Sequence, residues 1–228
     1  MSAPPQLVIF DCDGVLVDTE RLSVSVDARV LAQLGLPMSQ DEIIERFVGR
    51  TETYWRAEIQ RLLARPMAAG EFEAFDPWYR EAFAAELTPI DHVVELLDAL
   101  DALGIRTCVA SSGTHERMRF TLGHTGLYDR FAGRIFSATE VAEGKPSPLL
   151  FEHAAEQMAT PAPQCLVIED SRYGVQAAVA AQMPVVGFSG SVTPAEVLRD
   201  AGADYVVADL REVLPIVAPT ALPSARAE

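Results

Sequence analysis

The chain has 228 residues, 49% of them hydrophobic and 22% charged, and carries a formal net charge of −15. That length and apolar content suffice for one well-packed domain with a smaller inserted one, and they exclude a disordered chain. An excess of acid this large repels nucleic acid and anionic membrane surfaces, so neither is expected as a partner.

In chain order, the first apolar run is "QLVIF", which ends at Asp11 and reads as a buried strand. It is followed at once by Asp11, Asp13 and Asp18, with Gly14 letting the chain turn sharply out of the strand. Residues 19–86 hold no convincing strand, only amphipathic stretches such as "DEIIERFVG" and "TYWRAEIQRLLA". Ser39 followed by Glu42 has the spacing of a capping box. This segment is expected to be a helical insertion hinged at residues 18–21 and 87–90.

Beyond it, Val93, Leu96, Leu97, Leu100 and Leu103 follow helical spacing, with Asp91 as expected N-cap and Gly104 as stop. The runs "IRTCVAS", "QCLVIE", "MPVVGF" and "ADYVVA" then alternate with helical patterns, as buried parallel strands do. A helix is expected to open at "TPAE", with Thr193 capping, Pro194 in the first turn and Glu196 completing a box. The expected fold is α/β: a Rossmann-like, doubly wound parallel sheet formed by residues 1–18 and 87–217, with an inserted all-helical cap domain at 19–86. Residues 218–228 lack periodicity and are expected to be a disordered tail.

Cys12, Cys108 and Cys165 each sit in an apolar run without CxxC or other ligand spacing, so they read as reduced core thiols of a cytoplasmic protein. No signal peptide is visible, and no run reaches the ~20 apolar residues of a membrane helix.

Ligands of doubly wound sheets bind outside the carboxyl ends of the strands. The polar residues of this chain cluster at those ends: Asp11 and Asp13 after the first strand, Ser111 after the next, Glu169 and Asp170 after a later one. Lys145 lies in "EGKPSP", ahead of a helix expected near Pro148. Converging carboxylates invite a hard divalent cation, most simply Mg2+, which keeps waters and takes a substrate phosphate as ligand. A lysine, a serine hydroxyl and helix-start N–H groups suit the other phosphate oxygens.

The set fits phosphoryl transfer, with Asp11 as nucleophile and Asp13 as acid and base, the latter role worth roughly 10^2 to 10^4 in rate. A carboxylate facing a phosphate at ~4 Å meets about 4 kcal/mol of repulsion at an effective dielectric of ~20. The cation and Lys145 therefore belong to the mechanism.

"DCDGVLVDTE", "VASSGT", "EGKPSP" and "VIEDSRYGV", in this order, resemble the motifs of the haloacid dehalogenase superfamily, over residues 6 to about 210. The resemblance implies Asp11 as nucleophile, Asp13 as general acid/base, and Ser111 and Lys145 on the phosphate, with Ser112 beside them. It implies Mg2+ held by the Asp11 carboxylate, the Asp13 carbonyl and Asp170, with Glu169 in or next to the ligand set. "GRTETYW" stands where the family carries its specificity loop, which makes Arg50, Thr51 and Glu52 candidate substrate contacts; Tyr54 and Trp55 read equally well as cap core.

The bland alternatives are that Asp13 and Asp18 form turns, that Ser111 caps a helix and that Lys145 is a solvated loop residue. The expected function is a Mg2+-dependent phosphatase of a small phosphorylated metabolite, most simply a sugar phosphate, acting as a monomer through an aspartyl-phosphate.

A phosphosugar mutase resembling β-phosphoglucomutase is the nearest alternative. It wants a histidine in the first cap helix and a lysine after the second-motif serine, where this chain has "RLSVSVD" and Thr114. Phosphonate hydrolysis would need a cap lysine, and residues 19–86 contain none. A receiver-like signalling domain is the alternative of another class. It would place its phospho-acceptor after a later strand and would lack the insertion.

Overall fold

The computed structural model describes residues 4–218, so the tail expected at 218–228 lies, from residue 219 on, outside the described residues. Strand β1 (Leu7–Phe10) is followed by four helices, α1 (Thr19–Gln33), α2 (Gln40–Phe47), α3 (Glu52–Leu63) and α4 (Asp76–Glu86). After α5 (Val93–Ala102) come β2 (Arg106–Ser111), α6 (His115–His124), β3 (Ile135–Ser137), α7 (Leu149–Gln157) and β4 (Cys165–Glu169). The chain continues through α8 (Arg172–Ala180), β5 (Val185–Phe188), α9 (Ala195–Asp200), β6 (Tyr205–Val207) and α10 (Val213–Val217).

The strands form one six-stranded sheet in the order β3-β2-β1-β4-β5-β6, every pair parallel. This is a Rossmann-like, doubly wound α/β sheet. Strand β1 lies between β2 and β4, where the winding reverses, which is where such sheets open a crevice.

Both faces of the sheet are covered, which explains why its strands are continuously apolar. Side chains alternate across β1: Val8 and Phe10 join one core with Leu166 and Ile168, while Leu7 and Ile9 join the other with Cys165 and Val167. Phe10 meets Phe131 edge-on at 6.2 Å between ring centroids. Each such buried side chain contributes roughly 1.5–3 kcal/mol. The three cysteines are free and buried in these runs, as expected of core thiols.

The helices α1–α4 own a third cluster, with Val24, Leu31, Ile43, Phe47, Ile59 and Phe72 at its centre. The chain passes between this layer and the sheet on two adjacent segments: Asp18 N–H donates to Thr88 O at 3.0 Å and Ile90 N–H to Leu16 O at 3.0 Å. Because α1 begins at Thr19, Arg21 is already helical and the entry crossing is shorter than the sequence suggests.

Local signals hold in part. The Ser39–Glu42 capping box forms, with Ser39 N–H on Glu42 Oε2 at 2.8 Å and Glu42 N–H on Ser39 Oγ at 3.3 Å. Gly104 ends α5 in the left-handed region at φ 69°. Asp91 does not cap α5; His92 takes that position at φ 64°, and its ring meets Glu95 Oε2 at 2.6 Å. Thr193 does not cap α9, because Pro194 is itself extended, at ψ 144°, and takes the capping position, so the helix starts one residue later, at Ala195. Strand β3 was not anticipated: three residues after "GR" carry too little periodicity to register. No helix among the described residues is long and apolar enough to cross a membrane.

Candidate active site

The carboxyl ends of β1, β2 and β4 bring the motif residues together. Asp11 follows β1, where its N–H extends the ladder to Ile168 O at 3.0 Å. Lys145, fully buried at its side chain, donates through Nζ to Asp11 Oδ1 and to Glu169 Oε1. A solvated loop lysine is thereby excluded. The other Glu169 oxygen accepts from Ser171 N–H at 2.8 Å and Ser171 Oγ at 2.9 Å, so Glu169 is fully engaged in holding Lys145 and the start of α8. Gly174 makes room for it, since a Cβ there would stand 1.8 Å from Glu169 Oε1.

Asp13 sits across the crevice. Its Oδ1 accepts from Thr19 Oγ1 at 2.6 Å and from Arg117 Nε and Nη2 at 3.3 and 3.2 Å. Its Oδ2 accepts from Ser111 Oγ at 3.5 Å, and that hydroxyl in turn accepts from Gly113 N–H at 3.0 Å. Ser111 does not cap the next helix; Thr114 does, accepting from Arg117 N–H at 3.2 Å. Ser112 donates to Gly49 O at 3.1 Å and thus touches the helical layer.

The charges are poorly balanced for so buried a place. Burial, reinforced by Glu169 and Asp13 and opposed by Lys145, pushes the Asp11 carboxyl up to about 7. Asp170 is raised well above the usual carboxylate range by burial and by Glu169, Glu20 and Asp11. Burial alone would raise Asp13 too, but the Arg117 charge and the Thr19 and Arg117 hydrogen bonds outweigh it and hold it low. Burial would lower Lys145; Asp11 and Glu169 more than reverse that, so its ammonium stays protonated.

Asp170 Oδ2 is buried with no hydrogen-bond partner among the described residues. It lies against Gly14, whose φ is +79° and where a Cβ would stand 2.0 Å from that oxygen. An orphaned carboxylate oxygen beside the buried Asp11 is a donor set that fits Mg2+. Among the described residues no three acidic, histidine or cysteine side chains converge as a complete cage. Mg2+ does not require one, since it keeps waters and takes substrate oxygens.

Above this cluster opens a cavity of about 590 Å³ between the sheet edge and the helical layer, walled in part by Asp11, Asp13, Ser111, Ser112, Arg50, Thr51 and Glu52. Arg50 lies over the Tyr173 ring at 3.5 Å and the Tyr54 ring at 4.4 Å, joining the helical layer to α8. Thr51 caps α3, and Glu52 is paired with Arg56 at 2.7 Å. Trp55 does both things expected of it, packing beside the cap cluster and facing the cavity.

Sequence reasoning missed Arg117, Thr19, Glu20, Asp27 and Tyr79. Thr19 carried a signal, standing in the first motif. So did Glu20 beside it, whereas Arg117, in the first turn of α6, Asp27 and Tyr79 carried none.

A doubly wound sheet whose switch-point strand ends in a buried, lysine-bridged carboxylate is the frame of an α/β enzyme. A family model described as haloacid dehalogenase-like hydrolase matches residues 5–182. The 6-phosphogluconate phosphatase of Escherichia coli (strain K12) is 30% identical over 186 residues, 80% of this chain and 82% of its own. A solved haloacid dehalogenase-like protein of unknown function from Agrobacterium tumefaciens shares 33% identity at a TM-score of 0.79, over 95% of this chain and 99% of its own. A haloacid dehalogenase family hydrolase from Deinococcus radiodurans, solved with bound phosphate and sodium, shares 29% identity at a TM-score of 0.76, over 95% and 96% of the two chains. The chain belongs to the haloacid dehalogenase-like hydrolases, and the receiver-like reading falls with that.

Proposed function

We propose that the chain is a Mg2+-dependent phosphatase that hydrolyses a small phosphorylated metabolite, a sugar phosphate, through an aspartyl-phosphate on Asp11. The observation that carries the reading is the buried Lys145, bonded to both Asp11 and Glu169 beside the orphaned Asp170 oxygen. The E. coli relative, named for a phosphorylated sugar acid, supports the substrate class.

One Asp11 carboxylate oxygen attacks phosphorus, and the ester oxygen leaves with the bonding pair and takes a proton from Asp13, which is held ionised in the free protein and takes up that proton as the negatively charged phosphate binds beside it. After the alcohol departs, water attacks the aspartyl-phosphate while Asp13 takes its proton. Phosphate leaves and Asp11 returns as carboxylate. Mg2+ held by Asp11, Asp170 and the Asp13 carbonyl would neutralise the charge gathered at the phosphoryl group. Glu169 serves this arrangement by anchoring Lys145. Lys145, Ser111 and Ser112 bind the phosphoryl oxygens, and Arg50, Thr51 and Glu52 face the alcohol portion. The helical layer closes the cavity against water.

The mutase alternative is weakened by Thr114, which stands near the place of the mutase lysine and is used as a helix cap. Phosphate release from a panel of small esters, with Mg2+ or with EDTA, tests the proposal. Release that requires Mg2+ and is abolished by Asp11→Asn is expected. Stable labelling of Asp11 by acetyl phosphate without turnover of any ester would overturn it.

A further inference from the structure

Arg117 is an arginine of α6 whose side chain keeps 36% of its exposure, yet it reaches three places at once. Its Nε and Nη2 donate to Asp13 Oδ1 at 3.3 and 3.2 Å, and the same Nη2 donates to Ser23 Oγ of α1 at 3.3 Å. Its guanidinium carbon lies 5.3 Å from the centroid of the Phe83 ring on α4. The first contact is to the sheet edge; the other two are to the helical layer.

Thr19 Oγ1 donates to the same Asp13 oxygen at 2.6 Å. Oδ1 is therefore saturated by Arg117 and Thr19, while Oδ2 has only the long 3.5 Å contact from Ser111 and looks toward the phosphate-binding groups. A carboxyl held by several donors on one oxygen has its other oxygen, and its plane, set in place before the substrate arrives.

We infer that Arg117 is a positioning residue: seated against α1 and α4, it fixes Asp13 so that Oδ2 delivers the proton to the departing alcohol. The inference rests on the phosphatase reading above, in which Asp13 is the general acid. It also ties that orientation to the helical layer, because the guanidinium has its second and third partners there.

The role can be separated from a merely structural one by the leaving group. An alkyl phosphate expels a strongly basic alkoxide and needs the proton, whereas p-nitrophenyl phosphate expels a weakly basic phenoxide and does not. The quantity to measure is kcat/KM, which reports steps up to loss of the alcohol, for glucose 6-phosphate and p-nitrophenyl phosphate in one enzyme preparation. Their ratio does not depend on the fraction of enzyme that is folded.

In Arg117→Met the ratio is expected to fall on the order of 10-fold to 100-fold, a part of the roughly 10^2- to 10^4-fold that a general acid supplies. Arg117→Lys should restore part of it, and Asp13→Asn should show the full fall. If Arg117→Met and Arg117→Lys lower both esters by one common factor while Asp13→Asn is selective, Arg117 is only structural and the inference fails alone. If Asp13→Asn is itself unselective, the acid assignment fails and the inference with it.

Discussion

Asp27 shows how far a single residue can depart from its sequence context. It lies on α1 in a row with Glu20 and Ser23, all facing the cavity, and Tyr79 of α4 donates its hydroxyl to the Asp27 carboxylate. Burial pushes Asp27 up to about 6, against the opposing pull of that hydrogen bond. A carboxyl whose folded value lies above its unfolded one binds more protons when folded. Its contribution is therefore fully present below about pH 4 and is lost as pH rises through about 6, a difference of about 2 to 3 kcal/mol. Asp27→Asn, which keeps an acceptor for Tyr79, should flatten the stability profile between those values. Urea midpoints of the wild type and variant, taken from pH 4 to pH 7.5, check this; parallel profiles would mean that Asp27 titrates normally.

The element that matters most is the turn leaving β1. Gly14 N–H donates to Val17 O at 2.8 Å, and both Leu16 and Val17 return hydrogen bonds to Cys12 O, so the chain doubles back directly beneath Asp13. Gly14 adopts φ +79°, and a Cβ would press on Asp170 Oδ2 at 2.0 Å. Gly14→Ala therefore combines left-handed backbone strain with a clash against a candidate Mg2+ ligand. Stability should fall by about 1–3 kcal/mol. Turnover of any ester substrate should fall by at least about 10-fold, since the displaced carboxylate belongs to the site. Chemical denaturation and steady-state rates measure the two effects. The capping box at Ser39 is the contrasting case, a local device at the far side of α2 whose residues do not enter the cavity wall.

For the molecule as a whole, the question is what holds the helical layer over the sheet. Gly49 packs so closely on Ser171 that a Cβ would stand 2.3 Å from its Oγ, Ser112 donates to Gly49 O at 3.1 Å, and Arg50 stacks on Tyr173 of α8. These contacts are polar, unlike the apolar clusters within each layer, while elsewhere Leu22 of α1 and Phe83 of α4 join a core cluster of the sheet. A stacked guanidinium is worth about 0.5–2 kcal/mol. Tyr173→Ala should raise amide exchange over residues 48–52 by roughly 2- to 30-fold, that stabilisation expressed as an opening equilibrium. Protection of the β1 and β4 amides should be unchanged. Equal loss of protection in both regions would show instead that the molecule opens as one unit.

Strands β1, β2, β4, β5 and β6, the helical character of residues 19–86, the capping box and the place of the motif residues at strand ends were legible in the chain, because each depends on neighbours close in sequence or on apolar runs that only a covered sheet can bury. Strand β3 was not, being too short to carry a period, and the starts of α5 and α9 were misread because a left-handed His92 and an extended Pro194 take the capping positions themselves. The grip of Lys145 on Glu169 as well as Asp11, the orphaned Asp170 oxygen and the seating of Arg117 against Asp13 belong to the tertiary structure alone. They join residues from 24 to 134 positions apart across elements whose separate sequences contain no trace of one another, and only packing decides which oxygen each charge meets.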